Sequence, residues 1–181
     1  MTYLILGLIL WVAAHLFKRV VPDLRARMGN GGKALAAVGI LAGLVLMIYG
    51  YRQAEVVNVW FPPAWTVHLN NLMMLGAVFI YGMSATTGRL RGALRHPQLT
   101  AVKVWAVAHL LVNGDLASLI LFGGLLAWAV LEVVVINLSE EWDRPQPGAA
   151  KKDILLVVIT VVMFLAIAFV HNWLGVWPFP G

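Results

Sequence analysis

The 181-residue sequence contains no cysteine and few charged residues. The absence of cysteine excludes disulfide bonds, thiolate metal sites and cysteine-bound iron–sulfur clusters, and it leaves the redox compartment undetermined. Only 12% of the residues are charged, whereas 61% are hydrophobic, and the mean hydropathy is +0.86. This composition is typical of an integral membrane protein and excludes an ordinary soluble domain.

Six apolar segments predict an all-α, polytopic membrane bundle of about six transmembrane helices. A helix needs about 20 mostly apolar residues to cross a bilayer core. The fourth segment is short, so we expect its helix to begin at Pro97. The first has no basic region and no small-residue cleavage site, so we expect it to be retained as a helix. The segments are residues 3–20, 34–50, 65–85, 99–113, 115–138 and 153–174.

Basic residues are distributed unevenly between the loops. Twelve of the 13 Lys and Arg residues fall in or beside the loops after the first, third and fifth segments, and Arg52 alone falls on the other side. The positive-inside rule therefore predicts that these three loops are cytoplasmic and that both termini lie on the outer face. The rule also accounts for the net charge of +5, so we do not expect nucleic-acid binding.

The chain is expected to form one membrane core over residues 1–138, a polar cytoplasmic linker over 139–152, and an additional C-terminal transmembrane helix over 153–181. Within the core, Gly39 and Gly43 have the spacing that lets two membrane helices approach closely. The sequence Asn113-Gly114-Asp115 predicts a tight turn, with Gly114 in a left-handed conformation and Asp115 as the N-cap of the next helix.

Two of the five histidines are expected well inside the hydrocarbon zone. His15 lies about 9 Å from the end of the first segment, and His109 about 18 Å from Pro97. Ionisable side chains at such depths by default mark a functional site. Two neutral imidazoles without cysteine or carboxylate partners suit haem iron better than zinc, which prefers four ligands. Trp11 and Trp105 lie four residues before these histidines, on the same helix faces.

Haem also carries two propionates, for which cations are candidate partners. Lys18 and Arg19 follow the first of the two histidines by one turn, and Arg95 precedes a helix start whose free amides attract anions. His96 lies at the same helix start. His171 is expected to belong to an aromatic anchor at the outer end of the last segment.

A purely structural interpretation of the polar residues stays open. Polar side chains in membrane helices also hydrogen-bond from one helix to the next. His68 with Asn71, and His109 with Asn113, are candidates for such bonds. Glu132 is a carboxylate within an apolar segment, and it could pair with a cation or histidine, orient a ligand, or be neutral.

Three stretches resemble the NnrU family: "AAHLF", "PPAWTVHL" and "LRHPQLTAVKVWAVAHLLVNGDLASLILFGGLLAW". The resemblance covers about residues 1–138. Members of this bacterial family are named from a link to denitrification and nitric oxide metabolism, and they are homologous to the plant 15-cis-ζ-carotene isomerase. The resemblance implies a multi-pass protein of the bacterial inner membrane that binds haem b and isomerises a polyene in a redox-dependent way, with a redox partner. The alternative is a haem protein that handles or senses nitric oxide, with a diatomic gas as its ligand.

The resemblance implies that His15 and His109 are the axial ligands and that the iron lies between the first and fourth segments. His68 and His96 match other histidines of the plant isomerase. That enzyme has a cysteine, implicated in ligand exchange, where this sequence has Ala106. The difference puts the same ligand exchange in doubt.

A more distant likeness concerns "RHPQ" and "SEEW", which resemble motifs of the isoprenylcysteine-type membrane methyltransferases. This second resemblance implies S-adenosylmethionine binding near Arg95, His96, Glu140 and Glu141. Leu99 and Ala101 stand where those enzymes usually have tyrosine and glycine, which weakens the methyltransferase interpretation.

Overall fold

The computed structural model describes residues 1–180, which form seven α-helices and, as their only β-type pairing, an isolated bridge between Asn58 and Asp115. This all-α architecture confirms the predicted fold class. The helices are α1 (Thr2–Val20), α2 (Pro22–Arg27), α3 (Gly29–Arg52), α4 (Thr66–Gly82), α5 (Pro97–Val112), α6 (Leu116–Ser139) and α7 (Lys151–Trp173).

Four of the helices, α1, α3, α6 and α7, are long and apolar enough to cross a membrane. Helices α4 and α5 occupy the third and fourth apolar segments but have only 17 and 16 residues. Six crossings with both termini on the outer face therefore stay a prediction. Helix α2 was not predicted; it is a single short helix of 6 residues in the first basic loop, and it begins at Pro22, whose fixed backbone suits a first turn.

The helices pack side by side in the order α3, α1, α6, α5, α4, α7. Helix α6 therefore lies between α1 and α5, and α7 lies at the edge beside α4. We call the end where α1 and α6 finish and α5 and α7 begin the basic end of the bundle. The other end is called the opposite end. A buried apolar cluster that includes Leu4, Met47, Leu125 and Trp128 fills the space between α1, α3 and α6.

The turn between α5 and α6 lies at the opposite end and packs against the loop that precedes α4. Asp115 caps α6 as predicted, since its Oδ1 accepts a hydrogen bond from the Ser118 backbone N–H at 2.9 Å. The expectation for Gly114 was wrong, because this residue is not among the glycines with positive φ. A glycine is needed there for a different reason: a Cβ would overlap the carbonyl oxygen of Trp60.

Glycines let the backbones of α1 and α3 touch. A Cβ added to Gly7 would lie 2.6 Å from the Met47 backbone nitrogen, and one added to Gly43 would lie 3.0 Å from the Gly7 carbonyl oxygen. A Cβ added to Gly39 would lie 3.0 Å from the Ala14 Cβ. The small-residue spacing in the second apolar segment therefore predicted a real helix–helix contact.

Replacing Gly7 with alanine should destabilise the bundle by about 1–3 kcal/mol, since the added methyl group meets backbone atoms that can move only if α1 and α3 separate. The matched control is Gly76→Ala in α4, where a Cβ has nothing within 4 Å. Alanine is the better helix former, so the control should be neutral or slightly stabilising. Thermal unfolding in detergent measures both. Equal unfolding midpoints for the two variants would contradict the tight contact.

Candidate functional site

Two adjoining cavities lie between α4, α5 and α7. Their volumes are about 480 Å³ and about 490 Å³. Each is within the roughly 300–1,000 Å³ that is usual for small-molecule sites. We call the first the outer lobe, because it lies toward the opposite end, and the second the inner lobe, because it extends toward the basic end. The residues that line both lobes are Met74, Val78, His109, Ile167 and His171.

The two histidines of this shared wall come from different helices at matching depth. His109 lies three residues before the end of α5, and His171 two residues before the end of α7, and both helices end at the opposite end. The His109 ring stacks on Phe122 of α6, with ring centroids 4.5 Å apart and planes at 9°. Trp105 meets the same ring edge-on at 5.3 Å. His109 is therefore held by aromatic neighbours on two sides.

Hydrogen bonds to backbone carbonyl oxygens orient the ring of His171 and the side chain of Asn113. The Nδ1 of His171 lies 2.8 Å from the Ile167 carbonyl oxygen, so Nδ1 donates its N–H to that oxygen and Nε2 is the ring nitrogen left for a ligand. Asn113 donates from Nδ2 to the His109 carbonyl oxygen at 2.8 Å and so closes the end of its own helix. This bond lies within one helix and is not the interhelical bond that the structural interpretation expected.

The outer lobe also has a polar wall formed by two adjacent asparagines of α4. Asn70 is 8% exposed, and its Oδ1 is buried without a hydrogen-bond partner. Its Nδ2 donates to Asn71 Oδ1 at 3.3 Å, and Asn71 Nδ2 donates to the Pro178 carbonyl oxygen at 3.0 Å. Asn71 thus bonds to the segment after α7, as the structural interpretation allowed, whereas His68 is exposed.

His15 lies elsewhere, between α1 and α6. Its Nδ1 donates to the Trp11 carbonyl oxygen at 2.8 Å, and its ring centroid lies 4.3 Å from that of Trp11 and 4.7 Å from that of Trp128. Neither cavity lobe is lined by His15. The contacts of His15 and His109 on α6, at Trp128 and Phe122, are six residues apart, which is about 9 Å along the axis. The structure therefore does not bring the two predicted ligands together.

The predicted cationic partners of haem all meet acidic residues or a carbonyl group at the basic end. Arg19 donates from Nε to Glu132 Oε1 at 3.0 Å and from Nη1 to Glu140 Oε1 at 2.9 Å. Lys18 Nζ lies 3.8 Å from the same Glu140 oxygen, and Arg95 donates to the Glu140 carbonyl oxygen. Of the three interpretations of Glu132, pairing with a cation is the one found.

His96 joins this region through its Nε2, which lies 2.8 Å from Asn137 Oδ1. The methyltransferase interpretation expected Arg95 and His96 to approach Glu140 and Glu141. The structure brings Arg95 to the Glu140 carbonyl oxygen, while the side chains of Glu140 and Glu141 are both exposed. The basic end is therefore a linked set of charges that joins α1, α5 and α6.

Comparison with known proteins gives the family. A family profile described as NnrU protein matches residues 3–178. The chain belongs to the NnrU family. No curated protein and no solved structure matches it. The match includes α7, beyond the residues 1–138 that carry the quoted motifs.

The sequence interpretation of this NnrU chain assigned His171 to an outer aromatic anchor and did not place it beside His109. Its neighbours Asn172 and Trp173 suggested an interfacial anchor, and spacing along the chain does not show which helices are adjacent. A signal was nevertheless present. His109 and His171 lie within three residues of helix ends that share one side of the predicted topology, so their depths match better than those of His15 and His109.

The charges at the basic end predict a pH dependence of stability. The hydrogen bond from Arg19 lowers the pKa of the Glu140 carboxyl below its ordinary value of 4.5. A carboxyl with a lowered folded-state pKa contributes stability above the unfolded-state value, and this contribution is lost as the pH falls through the folded-state pKa. Glu140→Gln should therefore lose part of the acid dependence of the unfolding midpoint between about pH 6 and pH 3. Glu141→Gln is the adjacent control and should keep the dependence of the unchanged protein. An identical acid profile for the Glu140 variant would exclude this contribution.

Proposed function

We propose that this NnrU-family protein binds haem b in the cavity between α4, α5 and α7 and acts on an elongated apolar molecule, with redox-dependent cis–trans isomerisation of a polyene as its reaction. The observation that carries the proposal is the shared wall of the two lobes, where His109 and His171 face one space from two helices. Family membership and the likeness to the plant isomerase support it.

The cavity offers imidazoles that could bind haem iron and apolar side chains that could pack against the porphyrin ring. Two imidazoles without a carboxylate or thiolate suit haem iron, and among residues 1–180 no cluster of three or more His, Cys, Asp and Glu residues offers a metal site of another kind. Apolar side chains such as Met74, Val78 and Ile167 suit the faces of the porphyrin. Within the described chain neither lobe is lined by Lys or Arg, so the polar groups for the haem carboxyl groups are those of Tyr51, Asn70, Asn71 and Asn113.

In the reaction, the residues of the chain would hold and orient the bound molecules. Phe122 and Trp105 hold the His109 ring, and the Ile167 carbonyl fixes the proton of His171 on Nδ1. The inner lobe, with Tyr81 at one end and Met163 on its wall, is the space for an apolar chain. Bound haem would supply a redox-active iron next to that chain.

Haem retention separates this proposal from the ligand pair that the resemblance implies. His109→Ala and His171→Ala should each strongly reduce the haem Soret absorbance per protein after reconstitution with excess haem, since each would remove one imidazole that can bind the iron. His15→Ala should keep it, as should the control His68→Ala at an exposed position. Loss of haem in His15→Ala with retention in His171→Ala would instead support the pair His15 and His109. Absence of Soret absorbance in the unchanged protein would reject haem binding.

A second candidate function has one observation in its favour, the contact of Arg95 with Glu140 at the basic end. This contact joins the two motifs that resemble those of the membrane methyltransferases. If S-adenosylmethionine binds there, calorimetry should detect saturable heat that Arg95→Ala abolishes and Arg52→Ala, the basic residue outside the basic loops, leaves intact. No heat with the unchanged protein would remove this candidate.

A further inference from the structure

The helices around the inner lobe do not close it on every side. Helix α4 packs against both α5 and α7. In contrast, over the whole described length of these helices, no Cα atom of α7 lies within 8 Å of a Cα atom in α5 or α6. Since the axes of two helices in direct contact are roughly 8–10 Å apart, α5 and α7 stand away from each other. We call the space between them the side gap.

The two lobes differ in the helices that form their walls. Tyr51 of α3 and Phe122 of α6 line the outer lobe together with residues of α4, α5 and α7. Among the described residues, none from α3 or α6 lines the inner lobe, whose walls come from α4, α5 and α7 alone. Other helices therefore close the side gap beside the outer lobe, but they do not close it beside the inner lobe.

Two apolar residues of α7 border the inner lobe and also face the outside of the bundle. Ile159 and Met163 line the lobe, yet they are 49% and 47% exposed. The neighbouring Leu156 is only 4% exposed and meets α4, where a Cβ on Gly82 would lie 2.5 Å from its Cδ1. Helix α7 is thus closed against α4 along one edge, and along its other edge the inner lobe opens past Ile159 and Met163.

The depth of this opening determines what lies outside it. Ile159 and Met163 are the ninth and 13th of the 23 residues of α7, which is long and apolar enough to cross a membrane. The hydrocarbon core of a bilayer is about 30 Å thick, so the middle of a crossing helix lies among acyl chains. Helix α7 has no ionisable side chain between Asp153 and His171. The opening therefore faces hydrocarbon and not water.

Polypeptide crosses both ends of the cavity. At the opposite end, the segment after α7 returns beside the outer lobe, and its Pro178 carbonyl oxygen accepts a hydrogen bond from Asn71. At the basic end, the Asp153 carboxylate of α7 accepts hydrogen bonds from the backbone N–H groups of Arg89 and Leu90 at 2.9 and 3.2 Å. These bonds tie α7 to the loop after α4. The side gap is consequently the most direct route into the inner lobe.

From these features we infer that the inner lobe takes its ligand sideways from the hydrocarbon layer of the membrane, through the side gap between α5 and α7. The ligand is then an apolar molecule dissolved in the bilayer, and Ile159 and Met163 are the residues that it passes on entry. The inference rests on the proposed function, because it requires the cavity to be a ligand site, and it adds the source of the apolar molecule and its route.

A photoreactive hydrocarbon dissolved in the membrane tests this route in the unchanged protein. An apolar iodophenyl diazirine is added to the full-length protein in lipid nanodiscs, and mass spectrometry locates the labelled residues after illumination. Ala77, Ala101 and Leu156 should carry the label, because they border the inner lobe, whereas at 4% exposure they have almost no contact with lipid outside it. The control residues Leu4 and Ala129 are fully buried in the packed core outside both lobes and should stay unlabelled. A sulfonated, water-soluble diazirine should label none of the five.

A variant and a competitor locate the entrance and the occupant. Met163→Trp places a larger side chain beside the side gap and should reduce labelling of the three wall residues. Val162→Trp is the matched control, since Val162 is 59% exposed on the same helix but lines neither lobe, and it should leave their labelling unchanged. In the unchanged protein, excess squalene, a polyene hydrocarbon without a polar group, should reduce labelling of the wall but not of Val162.

The results that would overturn the inference do not depend on haem. Unlabelled wall residues in the unchanged protein would overturn it even if Met163→Trp failed to fold, and so would labelling of the wall by the water-soluble reagent. Equal labelling of the wall in the two tryptophan variants would place the entrance elsewhere. Labelling that squalene leaves unchanged would assign the lobe to phospholipid acyl chains.

The Soret absorbance of the same samples records haem separately. A labelled wall in protein that never shows a Soret band would support the inference and reject the haem part of the proposed function. A Soret band in protein with an unlabelled wall would reject the inference and leave haem binding intact.

Discussion

The ion pair between Arg19 and Glu132 is the interaction on which the arrangement of the bundle depends. Glu132 lies seven residues inside the end of α6, and burial leaves it 8% exposed, so an unpaired charge there would be strongly destabilising. Arg19 meets it from the last turn of α1 and reaches Glu140 with the same guanidinium. This double contact fixes α1 against α6 at a single level. Helix α5 is then left to pack on the other side of α6, and that placement separates His15 from His109.

Polar groups are consequently divided between the two sides of α6. On the α1 side, Trp11 and Trp128 surround His15, and the indole nitrogens of both are buried without partners, as is Glu132 Oε2. On the α5 side, His109 faces a cavity that reaches α7. The polar groups on the α1 side are tightly packed among aromatic rings, whereas His109 on the α5 side borders the cavity. Only the second arrangement offers room for a ligand the size of haem or a polyene chain.

The sequence predicted the features that depend on local pattern. Apolar runs located α1 and α3–α7 to within a few residues, Asp115 was recognised as an N-cap, and Gly39 and Gly43 were recognised as a contact surface. What the local pattern did not predict is which helices lie next to each other. The position of His15 and His109 along their helices placed both within the membrane. This position says how deep a residue lies but not which helix it faces. The neighbours of a helix depend on packing that no short motif encodes. The same limit explains why Lys18, Arg19 and Arg95 were assigned to haem propionates although Glu140 lies among them.

Helix α7 completes the cavity to which residues of the family motifs contribute. The quoted motifs end at residue 138, and a bundle built from α1 to α6 alone would leave the groove between α4 and α5 open to lipid on the side of Met74 and Val78. Helix α7 covers that groove, and the segment after it returns through Pro178 to bond Asn71. The wall that α7 adds supplies His171, and the segment after α7 holds the Asn71 amide at the edge of the outer lobe. The NnrU match extends through residue 178, so this last helix belongs to the same unit as the motifs, and the cavity exists only because both are present.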